Sequence, residues 1–86
     1  MDILYVSNTC HWCHRVDAFV KRLPLATQQQ ILYRNISTDA AAADALRAEG
    51  FQNIPLLVTD FRGVRERYLG GPDIIQILSQ RYAQTV

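Results

Sequence analysis

The apolar positions change their period several times along the chain, and each change predicts an element. Ile3-Leu4-Tyr5-Val6 is a short continuous apolar run with strand propensity, whereas Val16, Phe19, Val20 and Leu23 recur at the spacing of one helix face. Pro24 then stops the helix, and the polar Thr27-Gln28-Gln29-Gln30 reads as a loop or frayed turn. Residues 31–36 form a second strand. Ser37, Thr38 or Asp39 can cap a second helix running through Glu49, with Gly50 as its left-handed terminal residue and Phe51 positioned to pack back on Leu46. Pro55-Leu56-Leu57-Val58-Thr59 and the stretch 64–69 flank Asp60-Phe61-Arg62-Gly63 as two antiparallel strands around a tight turn. Gly70-Gly71-Pro72 precedes a last helix over 73–82, with Pro72 suited to the first helical position and Ile74, Ile75, Leu78 and Tyr82 toward the core.

The predicted order is βαβαββα. A right-handed crossover makes the first two strands parallel, and the C-terminal hairpin completes a four-stranded mixed sheet covered by three helices. Eighty-six residues suffice for one modest core, so residues 1–86 are expected to be a single domain. With 49% hydrophobic and 20% charged residues and a net charge of +1, the composition is that of a soluble globular protein. It offers no electrostatic reason to expect nucleic acid or an anionic membrane as partner. No apolar run approaches the roughly 18 residues of a membrane span, and Met1-Asp2 leads straight into the first strand, so the expected location is cytoplasmic.

Both cysteines fall in Thr9-Cys10-His11-Trp12-Cys13-His14-Arg15, on the turn between the first strand and the first helix. Cys10 lies at or just before the first helical turn, where unpaired backbone N–H groups and the helix dipole favour an anion such as a thiolate. Cys13 shares the inward face of Val16 and Val20 and is expected to be the more buried sulfur. The pattern thus names Cys10 as attacking nucleophile and Cys13 as resolving thiol. A free cysteine has a pKa of about 8.5, and this position lowers it to about 3.5 to 7.5. His11, if protonated, adds a positive charge beside Cys10, and Trp12 is expected to cover the site as a contact surface for substrate.

Two other chemistries share these residues. Cys10, Cys13 and either His11 or His14 supply three zinc-type ligands, but the fourth is missing from the sequence. Cys10-His11-Trp12-Cys13-His14 also satisfies the attachment pattern of c-type haem, a chemistry that normally belongs to exported proteins.

Three pieces in sequence order, Cys10-His11-Trp12-Cys13-His14-Arg15, Asn53-Ile54-Pro55 and Gly70-Gly71-Pro72-Asp73, make nearly the whole chain resemble a small glutaredoxin of the thioredoxin-like superfamily. That family carries Cys-Pro-Tyr-Cys, often followed by His-Arg, then Thr-Val-Pro, then Gly-Gly-x-Asp. The resemblance implies a thioredoxin-like fold and a cis Ile54–Pro55 bond opposite Cys10. It also implies a glutathione site in which the Ile54 backbone pairs with the cysteinyl peptide and a glutathione carboxylate meets Gly70, Gly71 and the Asp73 amide. Departures from the family pattern remove positive charge or donors from that site. Ser7 stands where the family often has lysine, Phe51 or Gln52 where it often has a basic residue, and Pro72 lacks an N–H. Arg15 is the candidate to compensate.

The function implied is a monomeric, glutathione-dependent disulfide oxidoreductase with no permanently bound cofactor. Its substrates would be disulfide-containing or glutathionylated proteins, with ribonucleotide reductase among the candidate targets. The resemblance leaves two alternatives open: a dimer holding an iron-sulfur cluster through the Cys10 of each chain and two glutathiones, and a direct supply of electrons from a thioredoxin reductase.

Overall fold

The protein, seen in a computed structural model that describes residues 1–82, is built on the strands β1 (Asp2–Val6), β2 (Ile31–Asn35), β3 (Leu56–Phe61) and β4 (Val64–Leu69). They form one sheet in the order β2-β1-β3-β4. β1 runs parallel to β2, with Val6 opposite Asn35, and antiparallel to β3, with Leu4 opposite Leu57. An inner strand is covered on both faces, which is why its apolar run is continuous rather than alternating. The predicted crossover and mixed sheet are both present.

The period-two geometry of β1 and β3 divides the core in two. Leu4, Val6 and Leu57 meet Cys13, Val16 and Val20 of helix α1 (His11–Val20) on one face, together with Ile74 and Leu78 from the C-terminal helix (Gly71–Arg81). On the other face Tyr5, Leu56 and Val58 pack with Leu46 of the helix Ala40–Ala48. Strand β4 forms an edge and presents Arg65, Glu66 and Arg67, charges that discourage edge-to-edge pairing.

Among the described residues there are four helices rather than the expected three. Residues 25–28 form a short helix α2 (Leu25–Gln28) where a loop or frayed turn was expected. Pro24 starts this turn as well as ending the previous one: its carbonyl accepts the N–H groups of Thr27 and Gln28. The Gln28 side chain donates to the carbonyls of Leu23 at 2.8 Å and Lys21 at 3.2 Å, satisfying groups left open after α1. The remaining helices are therefore α3 (Ala40–Ala48) and α4 (Gly71–Arg81).

Helix α3 ends as the sequence predicts. Asp39 caps its start by accepting the Ala41 N–H at 3.0 Å. At its end Gly50, with φ of 91°, donates to Arg47, while Phe51 donates to Leu46 and packs against the same cluster. These paired bonds satisfy the last carbonyls of the helix. Two boundaries move by two residues. Phe61 pairs with Val64, so the hairpin turn is Arg62-Gly63 alone, and α4 begins at Gly71 rather than Asp73 because Gly70 acts as its cap and accepts the Ile74 N–H.

Candidate functional site

The loop after β1 is tied to the loop after β2 before it reaches Cys10. The Asn8 N–H donates to Ser37 Oγ at 3.0 Å, and Asn35 Nδ2 donates to Asn8 Oδ1 at 2.7 Å. Cys10 then leaves this anchored loop with extended backbone angles, φ −90° and ψ 113°, and is itself the N-cap of α1. Its sulfur takes the place of a capping oxygen: the Cys13 N–H donates to Cys10 Sγ at 3.1 Å. No acidic residue lies in the first turn of α1 to oppose an anion there.

Cys10 and Cys13 are joined in a disulfide, with their Cα atoms 5.1 Å apart. The two sulfurs are not equivalent. Cys13 is 3% exposed within the α1 core, whereas Cys10 is half-buried at the edge of the same cluster. In the reduced protein the N–H now bonded to Cys10 Sγ is a ready donor to a thiolate on that atom.

The structure brings most of the sequence-predicted site residues around this pair. The Ile54–Pro55 bond is cis, and the Gly70 N–H donates to the Pro55 carbonyl at 3.0 Å, joining the proline loop to the start of α4. Ile54 packs against the cluster that Cys10 borders. Trp12 lies on Gly71 and keeps 38% of its surface exposed, so part of the ring is packed and part is open. His11 is exposed and meets the Trp12 ring edge-on at 6.5 Å between centroids. Arg15 is exposed, with its guanidinium carbon 5.0 Å from the Trp12 ring centroid. Asp73 lies apart from this group and lines a separate hollow with Tyr68 and Gln76.

Sequence reading missed a hollow of about 180 Å³ beside Cys13, lined by Ser7, Cys13, His14, Asp17, Tyr33 and others. Ser7 thus borders Cys13. His14 Nε2 donates to the Asn8 carbonyl at 3.1 Å, and the Tyr33 hydroxyl donates to Asp17 Oδ1 at 2.7 Å. Burial pushes the Asp17 carboxyl up, but the hydrogen bonds from Lys21 and Tyr33 and the Lys21 charge outweigh it and hold the group below its usual range. Burial first and the Asp17 carboxylate second push the Tyr33 phenol up. One signal was present in sequence, since Asp17 is four residues after Cys13 on the same helix face.

Among the described residues, no group of three or more His, Cys, Asp and Glu side chains is placed to hold a metal ion. His11 and His14 point their rings to Trp12 and Asn8 instead of converging on the cysteines. Nor is any described helix long and apolar enough to cross a membrane.

Fold and site together define a mixed α/β protein with a Cys-x-x-Cys disulfide capping a helix that packs on a four-stranded sheet. No known family matches the chain, and no curated protein is similar to it. A solved structure described as that of a malarial protein is similar over 92% of this chain and 92% of that one, with a TM-score of 0.61 and 12% identity. That likeness shows a shared fold.

Proposed function

We propose that the protein is a thiol-disulfide oxidoreductase of glutaredoxin type with a thioredoxin-like arrangement of strands and helices. One observation carries the reading: Cys10 Sγ is half-buried at the N-cap of α1 and receives the Cys13 N–H, while Cys13 is enclosed in the core. An accessible, anion-stabilised sulfur beside a protected one is what attack followed by resolution requires.

In the reaction the Cys10 thiolate attacks one sulfur of a substrate disulfide, forming a mixed disulfide and releasing the other substrate sulfur as a thiolate. Cys13, as thiolate, attacks Cys10 Sγ and releases the second substrate sulfur, leaving the Cys10–Cys13 disulfide. A first glutathione thiolate attacks Cys10 Sγ, giving glutathionylated Cys10 and a Cys13 thiol. A second attacks that mixed disulfide, so two glutathiones leave as oxidised glutathione and the dithiol is restored. The Ile54–Pro55 loop, joined to the Gly70-Gly71 turn on which Trp12 lies, would offer its backbone groups to an extended cysteinyl peptide. On this reading the protein works in the cytoplasm on disulfide-containing or glutathionylated proteins.

The test is reduction of hydroxyethyl disulfide with NADPH, in parallel assays supplied with glutathione plus glutathione reductase or with thioredoxin reductase. Turnover in the first assay supports the full reading. Turnover in the second alone keeps the dithiol chemistry and removes glutathione from it, and turnover in neither overturns the proposal.

A further inference from the structure

We propose that the groove between α1 and α4 beside the disulfide docks an acidic segment of the protein whose disulfide is reduced. This inference rests on the redox reading of Cys10 and Cys13 and adds the class of partner. The groove has a volume of about 310 Å³ and is lined by Trp12, Arg15, Ala18, Phe19, Arg22 and Ile75. Its residues fall in two rows. Trp12 and Phe19 are seven residues apart on α1, about two helical turns or about 10 Å, while Arg15 lies beside them on the helix and Arg22 in the turn just past its end, so the cationic row runs alongside the aromatic one and beyond it. Trp12, adjacent to the cysteine pair in sequence, sets the active-site end of both rows.

Charge identifies the occupant. Of the eight arginines in the chain, Arg34, Arg47, Arg65, Arg67 and Arg81 each pair with a carboxylate of the protein. Among the described residues no carboxylate pairs with Arg15, Arg22 or Arg62, and two of these three line this one groove. Among the described residues no acidic side chain lines it, and the nearest candidate in sequence on α4, Asp73, lines a different hollow. The Arg15 guanidinium carbon sits 5.0 Å from the Trp12 ring centroid, a contact that leaves N–H groups for a carboxylate. A segment with two carboxylates and an apolar side chain between them matches both rows. Such a segment, flanking the target disulfide, would hold that disulfide at the Trp12 end, where Cys10 attacks.

The test uses three peptides containing the same disulfide, with flanks Glu-Leu-Phe-Glu, Gln-Leu-Phe-Gln and Lys-Leu-Phe-Lys. Their reduction is compared at low and high salt in wild type and in Arg22→Gln and Arg22→Glu. Two exposed charge pairs predict a KM about fivefold to tenfold lower for the acidic flank than for the glutamine flank at low salt, with the gap closing as salt screens it. Arg22→Gln should narrow the gap to about two- to threefold, and Arg22→Glu, whose repulsion offsets the remaining Arg15 pair, should close it. Equal KM values for the acidic and glutamine flanks in wild type, or a preference that neither variant changes, would overturn the proposal.

Failure of the redox reading itself is separable, because it shows as no turnover of hydroxyethyl disulfide. Docking is then read from the fluorescence of Trp12, the one tryptophan of the chain, titrated with serine versions of the same peptides. Saturable change with the acidic peptide alone supports the groove. The same response to all three peptides, to none, or to increasing protein concentration without peptide, as when a second copy covers the groove, overturns it.

Discussion

Gly71 lies directly beneath the indole of Trp12: a β-carbon added at position 71 would overlap the ring, approaching Cδ2 to 2.8 Å and Cγ to 3.1 Å. The two glycines before α4 therefore do different things. Gly70 adopts φ of 96° with open space around it, a backbone conformation that side chains disfavour, while Gly71 leaves room for a neighbour. Because the overlap reaches the root of the ring, Trp12 has to rotate away to relieve it. The packing of Trp12 at the mouth of the site is thus set from another helix.

Gly71→Ala is expected to destabilise the protein by about 1 kcal/mol, against a helix propensity that favours alanine by up to about 1 kcal/mol. Tryptophan emission should shift to the red as Trp12 is displaced. Gly70→Ala should cost about 1 to 3 kcal/mol through backbone strain without moving the emission. Urea titrations followed by fluorescence read both, and a stabilised Gly71→Ala with unchanged emission would show that the ring does not depend on this contact.

The two sulfurs are expected to behave differently once reduced. Iodoacetamide should modify Cys10 first, with a pH midpoint well below the value of about 8.5 of a free thiol. Cys10→Ser should lose all disulfide reduction. Cys13→Ser should keep activity on glutathione mixed disulfides and lose it on protein disulfides. His11→Ala separates the causes of activation, because an unchanged low midpoint assigns the effect to the helix terminus and the Cys13 N–H, and a raised midpoint assigns part of it to His11. Equal residual activities of the two serine variants would reverse or remove the assignment of Cys10 as attacker.

What was legible in the sequence was local. The cap at Asp39, the terminal pair Gly50-Phe51 packing on Leu46, and the burial of Cys13 with Val16 and Val20 all follow from spacings within a few residues. The short helix α2 was hidden because its stability comes from Gln28 reaching back to the carbonyls of Lys21 and Leu23, which no local period announces. The hollow beside Cys13 depends on the register that sets Val6 opposite Asn35 and brings Tyr33 to Asp17, a relation between distant segments. The proximity of Pro55 to Gly70 is of the first kind, since it continues the hairpin that sets Leu56 opposite Leu69 by one more backbone hydrogen bond.

Two carboxylates should make stability fall in acid. Lys21 and Tyr33 hold Asp17 low against the opposing effect of burial; for Glu49 the hydrogen bond from Arg65 acts first, supported by Arg67 at 2.7 Å, with burial opposing. A carboxyl lowered in the folded state binds its proton first in the unfolded chain. Its contribution is therefore full above the ordinary values of about 3.9 and 4.3 and is lost as pH falls through the folded value. Asp17→Asn and Glu49→Gln should each lower the urea midpoint at pH 7, and their difference from wild type should shrink by about pH 3. A difference that stays constant between these pH values would mean that neither charge is linked to folding.

The alkaline limb tests the closure of the fold by its two ends. The Tyr82 hydroxyl donates to Asp2 Oδ2 at 2.7 Å, joining the end of α4 to the start of β1, where Asp2 is only 6% exposed. Burial first, then the bond to Asp2 and its charge, push the phenol up to about 12. The folded state thus favours neutral tyrosine, and this contribution is complete below the ordinary value of about 10 and is lost as pH rises through about 12. Tyr82→Phe removes the donor from a buried carboxyl and should cost about 1 to 3 kcal/mol at pH 7. It should also flatten the loss of stability between about pH 10 and 12, and remove one late-ionising phenol from the absorbance titration at alkaline pH. Tyr33→Phe supplies the comparison, since its phenol is also raised but its hydrogen bond joins α1 to the edge strand β2. An alkaline limb identical in wild type and Tyr82→Phe would show that the Tyr82–Asp2 bond does not hold the two ends together.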